Sequence, residues 1–285
     1  MNFDYVFQAN TTLEGQARLD TGLVFAKRGD QELSIDMLTP WQTAPTDDRR
    51  YPLVVFVQGS GFGTPDRGYE MPQISALARR GFVVASLTHR NCYEGHRAPA
   101  YLIDVKAAIR FLRAHADELL IDPDRVLIWG TSSGGNTALM VALTGDMECY
   151  KDDLYPDFSD SVLAAVDCFG PLNLRKQDPE AKSDMIRCLI GNPEEEDFEA
   201  RLDEFSPQSY LDKATQIPPL FLLHGDKDSL VPFEQSTDFY TKAKAKGFDV
   251  RMALVEGAEH EHDFWGQDLV NCILDFIESH AQKLR

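Results

Sequence analysis

The 285-residue chain is 43% hydrophobic and 26% charged, which excludes intrinsic disorder and gives one large domain, residues 1–285, enough apolar material for a sizeable core. A formal charge of −18 argues against nucleic acid or an anionic membrane surface as partner, because either would be repelled. The five cysteines, Cys92, Cys149, Cys168, Cys188 and Cys272, form no C-x-x-C pair and no Cys/His cluster at zinc spacing, so reduced structural thiols and no metal are expected.

The first residues, Met1-Asn2-Phe3-Asp4-Tyr5, carry no basic or apolar leader pattern, and no stretch reaches eighteen unbroken apolar residues. A cytoplasmic protein is expected, with homo-oligomerisation left open. Residues 1–20 read as a polar surface lead-in. Gly22–Ala26 and Glu32–Leu38 read as a strand pair joined by the turn signal Arg28-Gly29-Asp30. After a loop over Pro40–Arg50 comes Leu53-Val54-Val55-Phe56-Val57, apolar on both faces, as a strand buried between helix layers must be. It runs into Gln58-Gly59-Ser60-Gly61-Phe62-Gly63, whose glycines let the backbone approach a ligand closely.

Pro72–Arg80 is predicted helical, with Ile74, Leu77 and Ala78 on one face, and Phe82–Leu87 is the next buried strand. A loop holding His89, Arg90, His96 and Arg97 leads to a helix over Tyr101–Ala116, where Asp104 suits the positive end of the dipole. Asp122-Pro123-Asp124-Arg125 reads as a turn. The run Val126-Leu127-Ile128-Trp129-Gly130-Thr131-Ser132-Ser133-Gly134-Gly135 then passes from buried strand to small residues to helix. Val162–Phe169 is a further strand. Residues 171–210 break the rhythm with Pro179, Pro193, the acidic run Glu194–Asp197 and short helical pieces, and read as a small cap with a solvated acidic face. A strand ending in His224-Gly225-Asp226-Lys227-Asp228, a helix holding Phe239 and Ala243, a strand over Val250–Val255, the loop Gly257-Ala258-Glu259-His260-Glu261-His262 and a helix over Leu269–His280 complete the chain. Strands alternating with helices argue an α/β fold: a mostly parallel central sheet flanked by helices.

Gly130-Thr131-Ser132-Ser133-Gly134 fits G-x-S-x-G, the strained strand-to-helix turn that presents a serine hydroxyl above the sheet. A serine needs a base to take its proton, and the base needs a carboxylate to hold its tautomer. Ser132, Asp228 and His260 follow one another in the order nucleophile, acid, base, each just past an apolar strand, so a parallel sheet gathers all three at one edge. Ser133, Asp226 and His262 compete with them. Only Ser132 has glycine at both −2 and +2, Asp226 sits where a turn-former is expected, and His260 lies nearer the strand. The N–H groups of Ser133 and of the Gly59-Ser60 loop are the candidate oxyanion donors. Phe62, Tyr93, Phe169 and Trp265 are candidates to line a substrate pocket, with Arg90 and Arg97 available to a polar substrate or to nearby acids.

On Leu33–Asp36, Gln58–Phe62, Asp104–Arg113, Gly130–Gly135, His224–Pro232 and Gly257–His260, the chain resembles the α/β-hydrolase fold serine esterases. More narrowly it resembles the acetyl-xylan and feruloyl esterase group related to the hormone-sensitive-lipase-like carboxylesterases. It departs from their frequent H-G-G-G loop at Gln58 and Ser60. The resemblance implies two-step acyl transfer without a cofactor, on a small-molecule or oligosaccharide ester, with removal of acetyl groups from sugars as the leading expectation. Feruloyl or general short-chain carboxylesterase activity, a prolyl-oligopeptidase-type peptidase and a non-catalytic binding protein are the alternatives; the last normally lacks a triad member, and none is missing here.

Overall fold

In the computed structural model, which describes residues 3–42, 49–177 and 183–282, the apolar runs lie side by side in one eight-stranded sheet. Its strands are β1 (Ala17–Arg28), β2 (Gln31–Pro40), β3 (Tyr51–Val57), β4 (Val83–Leu87), β5 (Ile121–Thr131), β6 (Ala165–Cys168), β7 (Leu220–Gly225) and β8 (Val250–Val255). They are ordered β1-β2-β4-β3-β5-β6-β7-β8. The β1–β2 and β2–β4 pairs are antiparallel, and every junction beyond them is parallel.

Alternate residues of β3 feed two cores, as the period of a strand dictates. Leu53, Val55 and Val57 join one core with Val105, Ile109 and Leu112 of α2 (Ala100–Ala114), Leu139 of α3 (Ser133–Leu143) and Phe239 of α8 (Glu234–Ala245). Val54 and Phe56 join the other with Ile74 and Leu77 of α1 (Met71–Arg79) and Ile273, Phe276 and Ile277 of α9 (Gln267–His280). Layers of helix on both faces explain why Leu53–Val57 of β3 and Val126–Trp129 of β5 are apolar throughout.

The edges differ from the sequence reading. Residues 17–20 belong to β1 rather than to a lead-in; the hairpin register shifts between Asp20 and Leu23, where Gly22 takes φ +77 and donates its N–H to Asp36 Oδ1. Residues 122–125, read as a turn, bulge out of β5 opposite Pro52. β6 is shorter than predicted: it begins at Ala165 rather than Val162, and it ends at Cys168, where Phe169 turns to φ +47. Asp104 does more than meet a helix dipole: its side chain is fully buried and accepts from Arg28 and Arg90. Such a carboxylate, once deprived of its partners, is strongly destabilising, by about 3–5 kcal/mol.

Among the described residues the cap region contains four short helices, α4 (Leu174–Gln177), α5 (Asp184–Leu189), α6 (Phe198–Glu204) and α7 (Pro207–Tyr210). Ile186, Leu189, Phe198 and Leu202 anchor α5 and α6 to the larger core. Residues 178–182, including Pro179, lie outside the described residues, as do 43–48 of the predicted loop. The acidic run is exposed apart from Glu195, which is half-buried and accepts from Arg97. Among the described residues no helix is long and apolar enough to cross a membrane.

Candidate active site

β5 delivers Ser132 to the C-terminal edge of the sheet at φ 50°, ψ −124°, a conformation that side chains avoid. The glycines around it are there for space. A Cβ on Gly130 would overlap the Gly134 carbonyl, and one on Gly134 would overlap the Val57 carbonyl. Phe62, Phe169 and Glu261, on the loops around this serine, also have positive φ.

His260 Nε2 lies 2.9 Å from Ser132 Oγ, and His260 Nδ1 lies 2.7 Å from Asp228 Oδ2. A carboxylate only accepts, so Nδ1 carries the proton and the Nε2 lone pair faces the serine hydroxyl. The imidazole ring rests on the Phe169 ring, with centroids 4.7 Å apart. Asp228 has no exposed side-chain surface, and its Oδ1 accepts the N–H groups of Leu230 and Val231 at 2.9 and 2.8 Å. Burial alone would raise its pKa; hydrogen bonds from His224, His260 and Val231 outweigh burial and hold the carboxyl well below the usual carboxylate range. The competitors are engaged elsewhere. Asp226 accepts the Gly257 N–H at 2.6 Å, Ser133 Oγ accepts the Ser60 N–H at 3.0 Å, and His262 is exposed in a 3-10 turn.

The loop after β3 is clamped against the elbow. Gly59 donates its N–H to Thr131 Oγ1 at 2.9 Å, and Thr131 in turn donates to Glu70 Oε1 at 2.9 Å. Burial pushes the Glu70 carboxyl up to about 7. The Gly59 N–H is therefore turned away from the site, contrary to the expectation that it joins an oxyanion hole. Ser60 also has its N–H engaged, on Ser133 Oγ. Gln58 braces the same loop: its Nε2 donates to the Gly59 carbonyl and its Oε1 accepts the Asp66 N–H. The Ser133 N–H, at the first position of α3, is one of those a helix leaves without an intrahelical acceptor. Gly61, at φ +58, lines the cavity beside Ser132 and Ser133 and was missed by the sequence reading, which stopped one glycine short.

A cavity of about 440 Å³ opens at Ser132, walled by Gly61, Phe62, Tyr93, Pro171, Met185, Leu230 and Val231. Of the predicted lining residues, Phe62 and Tyr93 are there. The others are not. Arg90 is held by Asp104, at 2.8 and 2.9 Å, and by the Ala100 carbonyl. Arg97 pairs with Glu195. Trp265 packs edge-on against Trp129, Phe169 and Phe264, and Phe169 itself, fully buried, supports the His260 ring. Among the described residues no group of three or more His, Cys, Asp or Glu side chains is arranged to hold a metal ion.

Residues 40–243 match the BD-FAE family. Among curated proteins, the chain is 27% identical over 73% of its length to esterase LipC and 31% identical over 66% of its length to the probable carboxylic ester hydrolase LipM, both of Mycobacterium tuberculosis. It spans about half of each relative, 52% and 44% respectively. Among solved structures, a truncated carbohydrate esterase from gut microbiota superposes with a TM-score of 0.82 at 24% identity, covering 95% of this chain and 98% of that one, a likeness of fold.

Proposed function

The chain belongs to the BD-FAE family of α/β-hydrolase fold proteins, and on that premise we propose that it is a serine carboxylic-ester hydrolase working through Ser132, His260 and Asp228. The observation that carries the reading is the continuous line Ser132 Oγ–His260–Asp228 at the mouth of a cavity. His260 Nε2 takes the hydroxyl proton as Ser132 Oγ attacks the ester carbonyl, and the buried Asp228 carboxylate stabilises the imidazolium. The Ser133 and Gly61 N–H groups hold the oxyanion, Gly61 taking this role in place of Gly59; Ser60 serves by holding the loop to Ser133. His260 then protonates the departing alcohol. Water, activated by the same imidazole, releases the acid, and no cofactor takes part.

The cavity supports an acyl group larger than acetyl. Its volume of about 440 Å³ falls in the range of sites for drug-sized ligands, and its walls at Phe62, Tyr93, Met185 and Leu230 are mostly apolar. This favours a short-chain or aromatic carboxylesterase over the sugar deacetylase that led the sequence reading. Each buried CH₂ is worth about 0.8 kcal/mol, so p-nitrophenyl butyrate should exceed the acetate in kcat/KM by up to about 15-fold. Initial rates on acetate, butyrate and octanoate esters, methyl ferulate and acetylated xylo-oligosaccharides test this. Activity confined to acetyl esters would restore the deacetylase, hydrolysis of peptide anilides alone would favour a peptidase, and no turnover of any of these would remove the enzyme reading.

A further inference from the structure

His224, the penultimate residue of β7, is fully buried, and none of the steps above uses it. Both of its ring nitrogens are engaged. Nε2 lies 3.1 Å from Asp228 Oδ2 and 3.0 Å from the Val231 carbonyl oxygen. Both are acceptors only, so Nε2 carries the proton. Nδ1 lies 2.7 Å from Ser236 Oγ on the first turn of α8. The carboxylate oxygen that His224 meets is the one that holds His260 Nδ1.

We propose that His224 is a positioning residue for the esterase relay: its Nε2–H fixes Asp228 Oδ2 on the line to His260 Nδ1, and Ser236 holds the outer ring nitrogen so that this donor stays turned inward. The inference rests on the esterase reading. With the Leu230 and Val231 N–H groups on Oδ1, the two histidines bring the donors on Asp228 to four, so rotation of the carboxylate breaks several hydrogen bonds at once. The His224 donor also draws charge from Oδ2. Without it, Oδ2 becomes a stronger partner for the His260 imidazolium, which then keeps its proton to higher pH. The acid limb of the kcat/KM profile should rise. The other charged groups in reach are Glu259, which faces Asp228, and Asp167, which burial pushes up to about 7 and which faces His224. A residue that merely latched the 228–231 turn through the Val231 carbonyl would affect stability and leave the limb where it was.

The variants are His224→Leu, His224→Gln and Ser236→Ala, measured for kcat, KM, pH profile and melting temperature. Misplacing a catalytic group by about 1 Å costs on the order of 10²-fold. His224→Leu should therefore lose about 30- to 100-fold in kcat with KM within about twofold, and its acid limb should move up by about half a pH unit. His224→Gln, whose amide N–H reaches the place of Nε2–H, should recover most of the rate and return the limb. Equal losses in Leu and Gln variants with an unmoved limb, or a His224→Leu enzyme within about threefold of wild type, would overturn the proposal. Should His224→Leu not fold, Ser236→Ala decides: lowered kcat with a shifted limb supports the role, and an unchanged enzyme overturns it. A wild-type protein without ester turnover would remove the underlying esterase reading instead.

Discussion

Ser132→Ala should lower kcat for a p-nitrophenyl ester by about 10⁵- to 10⁶-fold, the loss seen when a triad nucleophile is removed, while substrate still binds and the melting temperature stays within a few degrees. The size follows from the geometry. Ser132 Oγ is the atom that His260 Nε2 faces, and Ser133 Oγ, the neighbouring hydroxyl, is engaged by the Ser60 N–H at 3.0 Å and has no base beside it. Residual rate over water would come from the oxyanion donors, which the substitution leaves in place. The elbow survives because its shape depends on Gly130 and Gly134, not on the serine hydroxyl. The check is a progress curve at high enzyme concentration beside a thermal melt of the same preparation; a variant with more than about one-hundredth of wild-type rate would mean that another group attacks the ester.

Asp228→Asn should cost about 10⁴-fold in kcat. Each carboxylate oxygen of Asp228 accepts from two donors, Oδ1 from Leu230 and Val231, and Oδ2 from His224 and His260. An amide has one accepting side, so either orientation sets its NH₂ against two N–H groups. Facing His260, it would draw the proton from Nδ1 to Nε2 and leave no lone pair for the serine; facing the turn, it would push the 228–231 segment out of register. Stability should respond as well. Because the folded Asp228 carboxyl titrates below its unfolded value, its stabilising contribution is present above the unfolded pKa of about 3.9 and is lost as pH falls through the folded value. The gap in unfolding free energy between wild type and Asp228→Asn should therefore be widest near neutrality and narrow below about pH 4, which urea melts at several pH values measure.

How much of this was legible depended on how local each feature is. The parallel sheet was legible because Leu53–Val57 of β3 and Val126–Trp129 of β5 are apolar on both faces, and few other folds ask for that. Ser132, Asp228 and His260 were named from the sequence because each lies just past a strand of a sheet already read as parallel, and the structure brings them together. Residues 17–20 escaped notice, since an exposed edge strand carrying Arg18 and Asp20 has no hydrophobic period to read. The cap was legible as short helical pieces but not their bounds, for a similar reason: pieces of four to seven residues are held by packing of Ile186, Leu189, Phe198 and Leu202 rather than by a pattern of their own. Gly59 was placed in the oxyanion hole because a glycine loop after a strand points there in general. Which of its N–H groups faces inward depends on Thr131, seventy-two residues away. Arg90 and Trp265 failed likewise, because their partners, Asp104 and the Trp129–Phe169–Phe264 cluster, are set by tertiary packing.

The central claim is that Ser132 is a nucleophile activated by His260. Treatment with a fluorophosphonate, followed by peptide mapping, tests it most directly, because such a reagent modifies a serine only where a base and oxyanion donors already converge. One adduct per chain is expected, on the peptide containing Ser132, with ester hydrolysis lost in proportion to labelling and the adduct missing from Ser132→Ala. Stoichiometric inactivation with Ser132 unmodified, or an enzyme that keeps its activity with Ser132 fully labelled, would contradict it.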